Sequence, residues 1–179
     1  MMPAILVILA VLIAAFVVVV ATKPPEFCYR RSASIQATPT ALFEQINDLR
    51  KFQAWNPWAK IDPSCRTTFA GPPAGVGSSF TWQGNKDVGE GTMTITESWP
   101  GEIVRCRMEF RKPMKATNVA EFTFGPDGSR TRMTWAMSGT NGFFGKAFGL
   151  VVNCDKMVGG QFEKGLESLR GIVETQTKA

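Results

Sequence analysis

Residues 4–21 read AILVILAVLIAAFVVVVA, a run without one charged or polar side chain, and few environments accept so long an apolar segment. As a helix rising ~1.5 Å per residue it covers most of a ~30 Å hydrocarbon core. Buried inside a globular domain, it would need protein packed against every face, and residues 23–179 are too few to supply that shell. A transmembrane anchor and a cleaved signal peptide both fit. Val19 and Ala21 offer small residues before a cleavage site, but a basic leading segment is missing and the run exceeds the usual ~7–15 apolar residues of a signal core. Those two departures favour an anchor over residues 1–22. Lys23, Arg30 and Arg31 follow it closely, so the positive-inside tendency points to a single-pass protein with a cytoplasmic soluble domain.

All 20 basic and 15 acidic side chains lie beyond residue 22, a net charge of +5 on the soluble part. A surplus of this size suits a surface near anionic headgroups and does not by itself indicate nucleic acid. Arg105, Arg107, Arg111, Lys112 and Lys115 crowd into one stretch opposed only by Glu109. That stretch is read as the charged edge of a hairpin, which discourages unwanted strand pairing, with a membrane-facing patch as the alternative. Cys28, Cys65, Cys106 and Cys154 are too far apart for a CxxC motif, and the chain has no histidine. Ordinary thiols are the expectation, with no metal site and no cofactor; in an exported domain the even count would allow two disulfides. Without histidine the Ser–His and Cys–His nucleophilic pairs and a histidine base are excluded. GPPAGVG at 71–77 matches neither a phosphate loop nor a dinucleotide fingerprint.

The soluble part has one domain's length and no internal repeat. After a proline-stiffened linker at 23–26, Phe27 to Ala37 reads as a strand. Thr38 caps a helix with Pro39 in its first turn, and Leu42, Phe43, Ile46 and Leu49 form its apolar stripe, which fades near Gln53. AWNPW at 54–58 follows, where Pro57 forces an irregular turn. From Arg66 to Gly139 six short strands, RTTFAG, SSFTWQ, GTMTITESW, EIVRCRMEF, KATNVAEFTF and RTRMTWAMSG, are separated by turns at Gly71–Pro73, Gly84–Asn85, Pro100–Gly101, Lys112–Pro113 and Pro126–Gly128, which predicts an antiparallel meander. Phe144 to Thr175 reads as one long amphipathic helix with Phe148, Val151, Val158, Phe162, Leu166, Leu169 and Val173 on its apolar face. Gly159 and Gly160 weaken it by about 1 kcal/mol each and mark a kink or a close backbone approach.

Alternation assigns an inward face to the strands. It carries Phe80 and Trp82; Met93, Ile95, Glu97 and Trp99; Val104, Cys106, Met108 and Phe110; Asn118, Ala120, Phe122 and Phe124; and Met133, Trp135 and Met137. One helix covers such a face only in part, so these side chains either fill a core or line a cavity. Glu97 and Asn118 share the parity of the apolar residues, and burying either alone would cost a few kcal/mol. They are expected to pair with each other, to sit at a rim, or to meet a ligand's polar end, unless a one-residue register shift moves them outward. Glu109 and Glu121 fall on the polar face.

The order strand, PTALFEQINDLRKFQAWNPWAKIDP, GVGSSFTWQGN, GTMTITES, AEFTF, TRMTW and NGFFGKAFGLVVNCDKMVGGQFEKGLESL resembles the SRPBCC superfamily, also described as START-like or polyketide cyclase-like, over residues 27–174. The resemblance implies an α+β helix-grip fold: a curved antiparallel sheet of about seven strands wrapped around the C-terminal helix, with a ligand cavity between them. Members of the superfamily include lipid-transfer domains, plant hormone and allergen proteins, aromatic-ring cyclases and co-chaperone activators, so fold alone does not assign an activity. The apolar N-terminal segment departs from the simple soluble pattern.

The expected domain, 27–175, therefore binds a lipid or other small hydrophobic molecule near a membrane. Trp55, Trp58, Phe80, Trp82, Met93 and Met108 are the first set of candidate cavity residues. Phe122, Trp135, Met137 and Phe162 complete the apolar set, with Glu97 and Asn118 as its polar members. A cyclase or dehydratase would instead use Glu97 as a buried acid and base, with Asn118 orienting a substrate oxygen. A third reading is a protein-interaction module.

Overall fold

Turn residues at fixed intervals and apolar residues at every second position produce the sheet. The computed structural model describes residues 2–176, and the side chains of residues 5–175. Its strands are β1 (Glu26–Ile35), β2 (Arg66–Ala70), β3 (Ser79–Gln83), β4 (Glu90–Trp99), β5 (Ile103–Lys112), β6 (Ala116–Asp127) and β7 (Arg130–Thr140). They form one seven-stranded sheet in the order β1-β7-β6-β5-β4-β3-β2, with every neighbouring pair antiparallel. β2 to β7 make the predicted meander, and β1 closes onto β7 because α2 and α3 carry the chain across to the opposite edge. The helices are α1 (Met2–Thr22), α2 (Pro39–Asn47), α3 (Leu49–Trp55), α4 (Phe143–Val151) and α5 (Cys154–Gln176). The sheet curves around α5, so the fold is the α+β helix-grip arrangement with one apolar helix ahead of it.

The sheet's inner face divides into two halves. At the end where β1 finishes, Leu42, Phe43 and Ile46 of α2 and Leu166, Leu169 and Val173 of α5 bury Ile35, Phe124 and Met133 in a dry core. At the opposite end, where β1 begins, only the first half of α5 and the segment after α3 lie over the strands. α1 leads into β1 at this end. Arg31 of β1 fastens the first half of α5 by donating from Nε to Glu163 Oε1 at 2.7 Å and from Nη2 to Asp155 Oδ2 at 2.9 Å. Gly159 makes this possible, since a Cβ there would occupy the space of the Arg31 guanidinium. The predicted close approach at this glycine is thus made by a side chain.

Both predicted long helices are broken by a side chain that caps a new one. The stripe of Leu42, Phe43, Ile46 and Leu49 is buried throughout, but Asp48 has extended backbone and accepts from the Arg50 N–H at 2.8 Å, ending α2 and starting α3. Likewise the C-terminal helix is two helices. Val152 is extended, and Asn153 Oδ1 accepts from the Lys156 N–H at 2.9 Å, so α5 starts afresh at Cys154. Short polar side chains compete with the helix ladder for backbone groups in this way.

Strand parity holds until β4, where the register slips between Ile95 and Glu97. The extra residue, Thr96, is a bulge that swaps the two faces. Ser98 turns inward and bonds Asn47 Oδ1 at 2.6 Å, while Glu97 and Trp99 turn outward. The predicted inward placement of Glu97 and Trp99 is therefore corrected.

Gly91 lies opposite Trp82 in the β3–β4 register, and a Cβ there would meet the Trp82 ring and stand 2.7 Å from the Glu109 carbonyl oxygen. Gly91→Ala should cost about 1–3 kcal/mol by overpacking, measured by chemical denaturation; an unchanged midpoint would show that the strand pair absorbs the methyl group.

Candidate ligand-binding site

The half of the inner face nearer the start of β1 encloses a cavity of about 270 Å³ between the sheet and α5. Its position follows from strand register: Trp82, Phe110 and Met137 line it and lie within three residues of the strand ends at Gln83, Lys112 and Thr140. The walls are aromatic. Phe80, Trp82, Phe110, Phe122 and Trp135 come from the sheet, Phe52 from α3, Trp58 from the 3₁₀ turn Pro57–Lys60, and Phe162 from α5. Met93, Met108 and Met137 fill the spaces between the rings, as a flexible thioether side chain can in an irregular surface. Ala59, Pro63 and Thr67, all exposed, border it on the side of the loop before β2.

Trp135 sits at the centre of this wall. It stacks on Phe162 with ring centroids 4.3 Å apart and lies 5.1 Å from Phe122. Trp55, expected at the cavity, is fully buried one layer behind it, 5.5 Å from Trp135, with its indole Nε1 donating to the Gln45 carbonyl. The helical turn from Phe52 to Trp55 puts the first ring in the cavity and the second in the core.

Glu97 and Asn118, the expected polar members, are not in the cavity wall and do not meet. On the outer face, Glu97 pairs with Arg105, which also holds Glu121 at 2.7 Å, and Glu97 accepts from Trp99 Nε1 at 2.9 Å. A buried acid at this position is ruled out by the bulge. Asn118 keeps inward parity, opposite Met108, but its Oδ1 fills the space beside Gly139 and has no hydrogen-bond partner. Arg105 and Arg107 have carboxylate partners on the outer face, whereas Arg111, Lys112 and Lys115 belong to the β5–β6 hairpin at the end where β1 begins, with Lys112 paired to Glu90 at 2.7 Å. The basic stretch is thus two surfaces. All four cysteines are free, with Cys106 buried and Cys28 exposed.

The cavity's polar groups come from a segment that period and parity did not single out. Asp62, buried at its edge, accepts from Ser64 Oγ at 2.6 Å, from the Ser64 N–H at 3.0 Å and from the Asn85 N–H at 2.7 Å. It ties the loop before β2 to the β3–β4 turn. The Ser64 hydroxyl first, and then the Asn85 N–H, hold the Asp62 carboxyl below its ordinary range. Gln53 and Asn56 also line the cavity. Asn56 donates to Gln53 Oε1 at 3.3 Å, which leaves Gln53 Nε2 buried with no partner. In the NPWAKIDPS stretch the irregular turn at Pro57 is legible from the sequence, but only the tertiary structure lays the segment across the cavity.

A family model described as polyketide cyclase / dehydrase and lipid transport matches residues 26–174. No curated protein matches the chain. Among solved structures, the Aha1 dimer from Colwellia psychrerythraea is similar at 15% identity and a TM-score of 0.59, over 83% of this chain and 96% of that one. Ara h 8.0201 aligns at 10% identity and a TM-score of 0.57, over 84% and 99% of the two chains. The di-domain ARO/CYC StfQ from the steffimycin biosynthetic pathway aligns at 8% identity and a TM-score of 0.63, over 87% of this chain and 53% of its own. At such identities the likeness is one of fold.

A depressed carboxyl pKa adds stability above the ordinary Asp value of ~3.9 and loses it as pH falls through the depressed value. Asp62→Asn should therefore lower the Tm at neutral pH, and the gap from the unaltered protein should close in acid. A gap independent of pH would show that the charge does not hold the two loops.

Proposed function

Because the chain belongs to the polyketide cyclase / dehydrase and lipid transport family, we propose that it binds a lipid or other small hydrophobic molecule in the cavity under α5, as a domain tethered to a membrane by α1. The observation that carries this reading is the cavity itself, about 270 Å³ lined mostly by apolar side chains, eight of them aromatic and three methionine. An apolar cavity of ~150 Å³ already takes up benzene, and ligand pockets start near ~300 Å³. The space therefore suits a small apolar molecule or part of one lipid chain.

The unpartnered Gln53 Nε2 narrows the class further. A buried donor without an acceptor is costly, and a ligand oxygen, whether carbonyl, ester, carboxyl or hydroxyl, would satisfy it. The ligand we propose is an apolar body carrying one oxygen acceptor. Binding without reaction is favoured because the one carboxylate among the lining residues, Asp62, is already engaged by its three donors.

The tether rests on the character of α1. Ile5–Thr22 has a mean hydropathy of 3.3 and is 6% buried, so it meets the length and composition of a membrane span. A signal sequence meets the same test. The burial pattern of a core helix is absent. Lys23 and Arg30 flank it on the domain side, which favours a cytoplasmic domain.

Native mass spectrometry of the full chain released from membranes should show a bound molecule that is apolar and oxygen-bearing. Ala120→Trp at the cavity floor, or Met108→Trp should the first fail to fold, should remove it. Protein that is empty in every preparation would overturn the reading. Gln53→Leu removes the unpaired donor together with the acceptor of Asn56, and should reduce the preference for a fatty alcohol over the matching hydrocarbon about tenfold. An unchanged preference would show that Gln53 does not meet the ligand.

A further inference from the structure

Nothing in the cavity accounts for α4. All nine of its residues, Phe143–Val151, lie outside the core, with none buried. Phe144, Phe148 and Val151 follow one another at helical spacing on one face, and Phe144 and Val151 are 78% and 84% exposed. Phe143 and Leu150 are exposed beside them. A helix so apolar and so little buried leaves a face for something that is not part of the folded domain.

Its neighbours indicate what that is. Lys146, between the aromatic residues of α4, reaches from Nζ to the carbonyl oxygens of Ala21 at 3.1 Å, in the last turn of α1, and of Lys23 at 3.2 Å, the first residue after it. The Asn141 N–H, just before α4, donates to the Pro25 carbonyl at 2.7 Å. α4 is thus fastened to the residues on which α1 ends. Only residues 23–25 separate α1 from β1, and three extended residues reach no further than about 10 Å.

We infer that α4 is an interfacial helix that inserts Phe144, Phe148 and Val151 into the same bilayer that α1 enters, holding the cavity end of the domain against the membrane. This rests on the reading of α1 as a span. A helix lying in the headgroup region buries its apolar face about 5–10 Å deep while a basic side chain stays at the surface, and Lys146 takes that second role by capping the carbonyl end of α1. The β5–β6 hairpin brings Arg111 and Lys115 to the same end of the sheet, beside Lys112 in its ion pair with Glu90, and cations there are drawn to anionic lipid. The short tether and the interfacial helix together set one orientation, in which the cavity's end of the sheet faces the lipid.

Photolabelling tests this on the full chain. The protein is placed in vesicles of phosphatidylcholine and phosphatidylserine that contain a phospholipid with a diazirine on its acyl chain, and the adducts are mapped by peptide mass spectrometry. Adducts are expected on residues 143–151 as well as on α1. Phe144→Glu with Phe148→Glu should lower the α4 adducts more than about tenfold while leaving those on α1 unchanged. Adducts confined to α1, or cross-links joining α4 to a second copy in place of lipid, would overturn the inference. Adducts on α4 with none on α1 would uphold the contact and overturn the tether. Ala120→Trp should leave α4 labelling intact, which separates this result from any failure of the cavity reading.

Discussion

Five aromatic rings surround Trp135, at centroid distances from 4.3 Å for Phe162 to 5.9 Å for Phe52. The indole is where the sheet, α3, the 3₁₀ turn and α5 meet. Each such pair adds about 0.5–1.5 kcal/mol beyond the area it buries, and their mostly edge-to-face geometry fixes the angle between sheet and helix. Trp135 also stands at a boundary. Behind it, Trp55 and the α2 residues pack to a dry core; before it, the same sheet face opens into the cavity. The helix can grip one half of the sheet and leave the other hollow because this cluster carries the contact.

The hollow half is held open by polar restraints at its edge. Arg31 pins the first half of α5 through Asp155 and Glu163, and Asp62 pins the loop before β2 to the β3–β4 turn. Neither depends on apolar contact across the cavity. A cavity lined by apolar groups would tend to collapse if its neighbours could relax, and these side chains limit that relaxation from outside. Gln53, one of the residues lining the space, keeps its Nε2 buried and without a partner.

The seven strands, the cap at Thr38 and the aromatic face of the sheet were legible because each depends on residues close in sequence. Phe80, Trp82, Met93, Met108, Phe122, Trp135, Met137 and Phe162 line the cavity for that reason: strand parity and helix period put them on one side of their own elements, while Trp58 lines it from the turn after Pro57. Three residues escaped those rules. Glu97 left the inner face through a bulge that involves Arg105 and the opposing strand. Trp55 belongs to the right helix but points one layer too deep. Asn118 has the right parity but is placed at Gly139, beside the cavity and outside its wall.

By itself the sequence determined that residues 4–21 could enter a membrane, that the remainder would alternate into an antiparallel sheet under an amphipathic helix, and that the face between them would be apolar. These follow from side-chain periodicity and polarity, which act locally. Only the tertiary structure decided that Asp62 and Gln53 would supply the cavity's polar groups, that Thr96 would turn Glu97 outward, and that α4 would separate from α5 and be fastened by Lys146 to the end of α1. The physical reason is that most of these rest on contacts between separate segments, as Asp62 with the Asn85 N–H, Glu97 with Arg105 and Lys146 with the Ala21 and Lys23 carbonyls, and no period within a single element records its partner, while the break at Asn153 is a local cap that competes with the helix ladder.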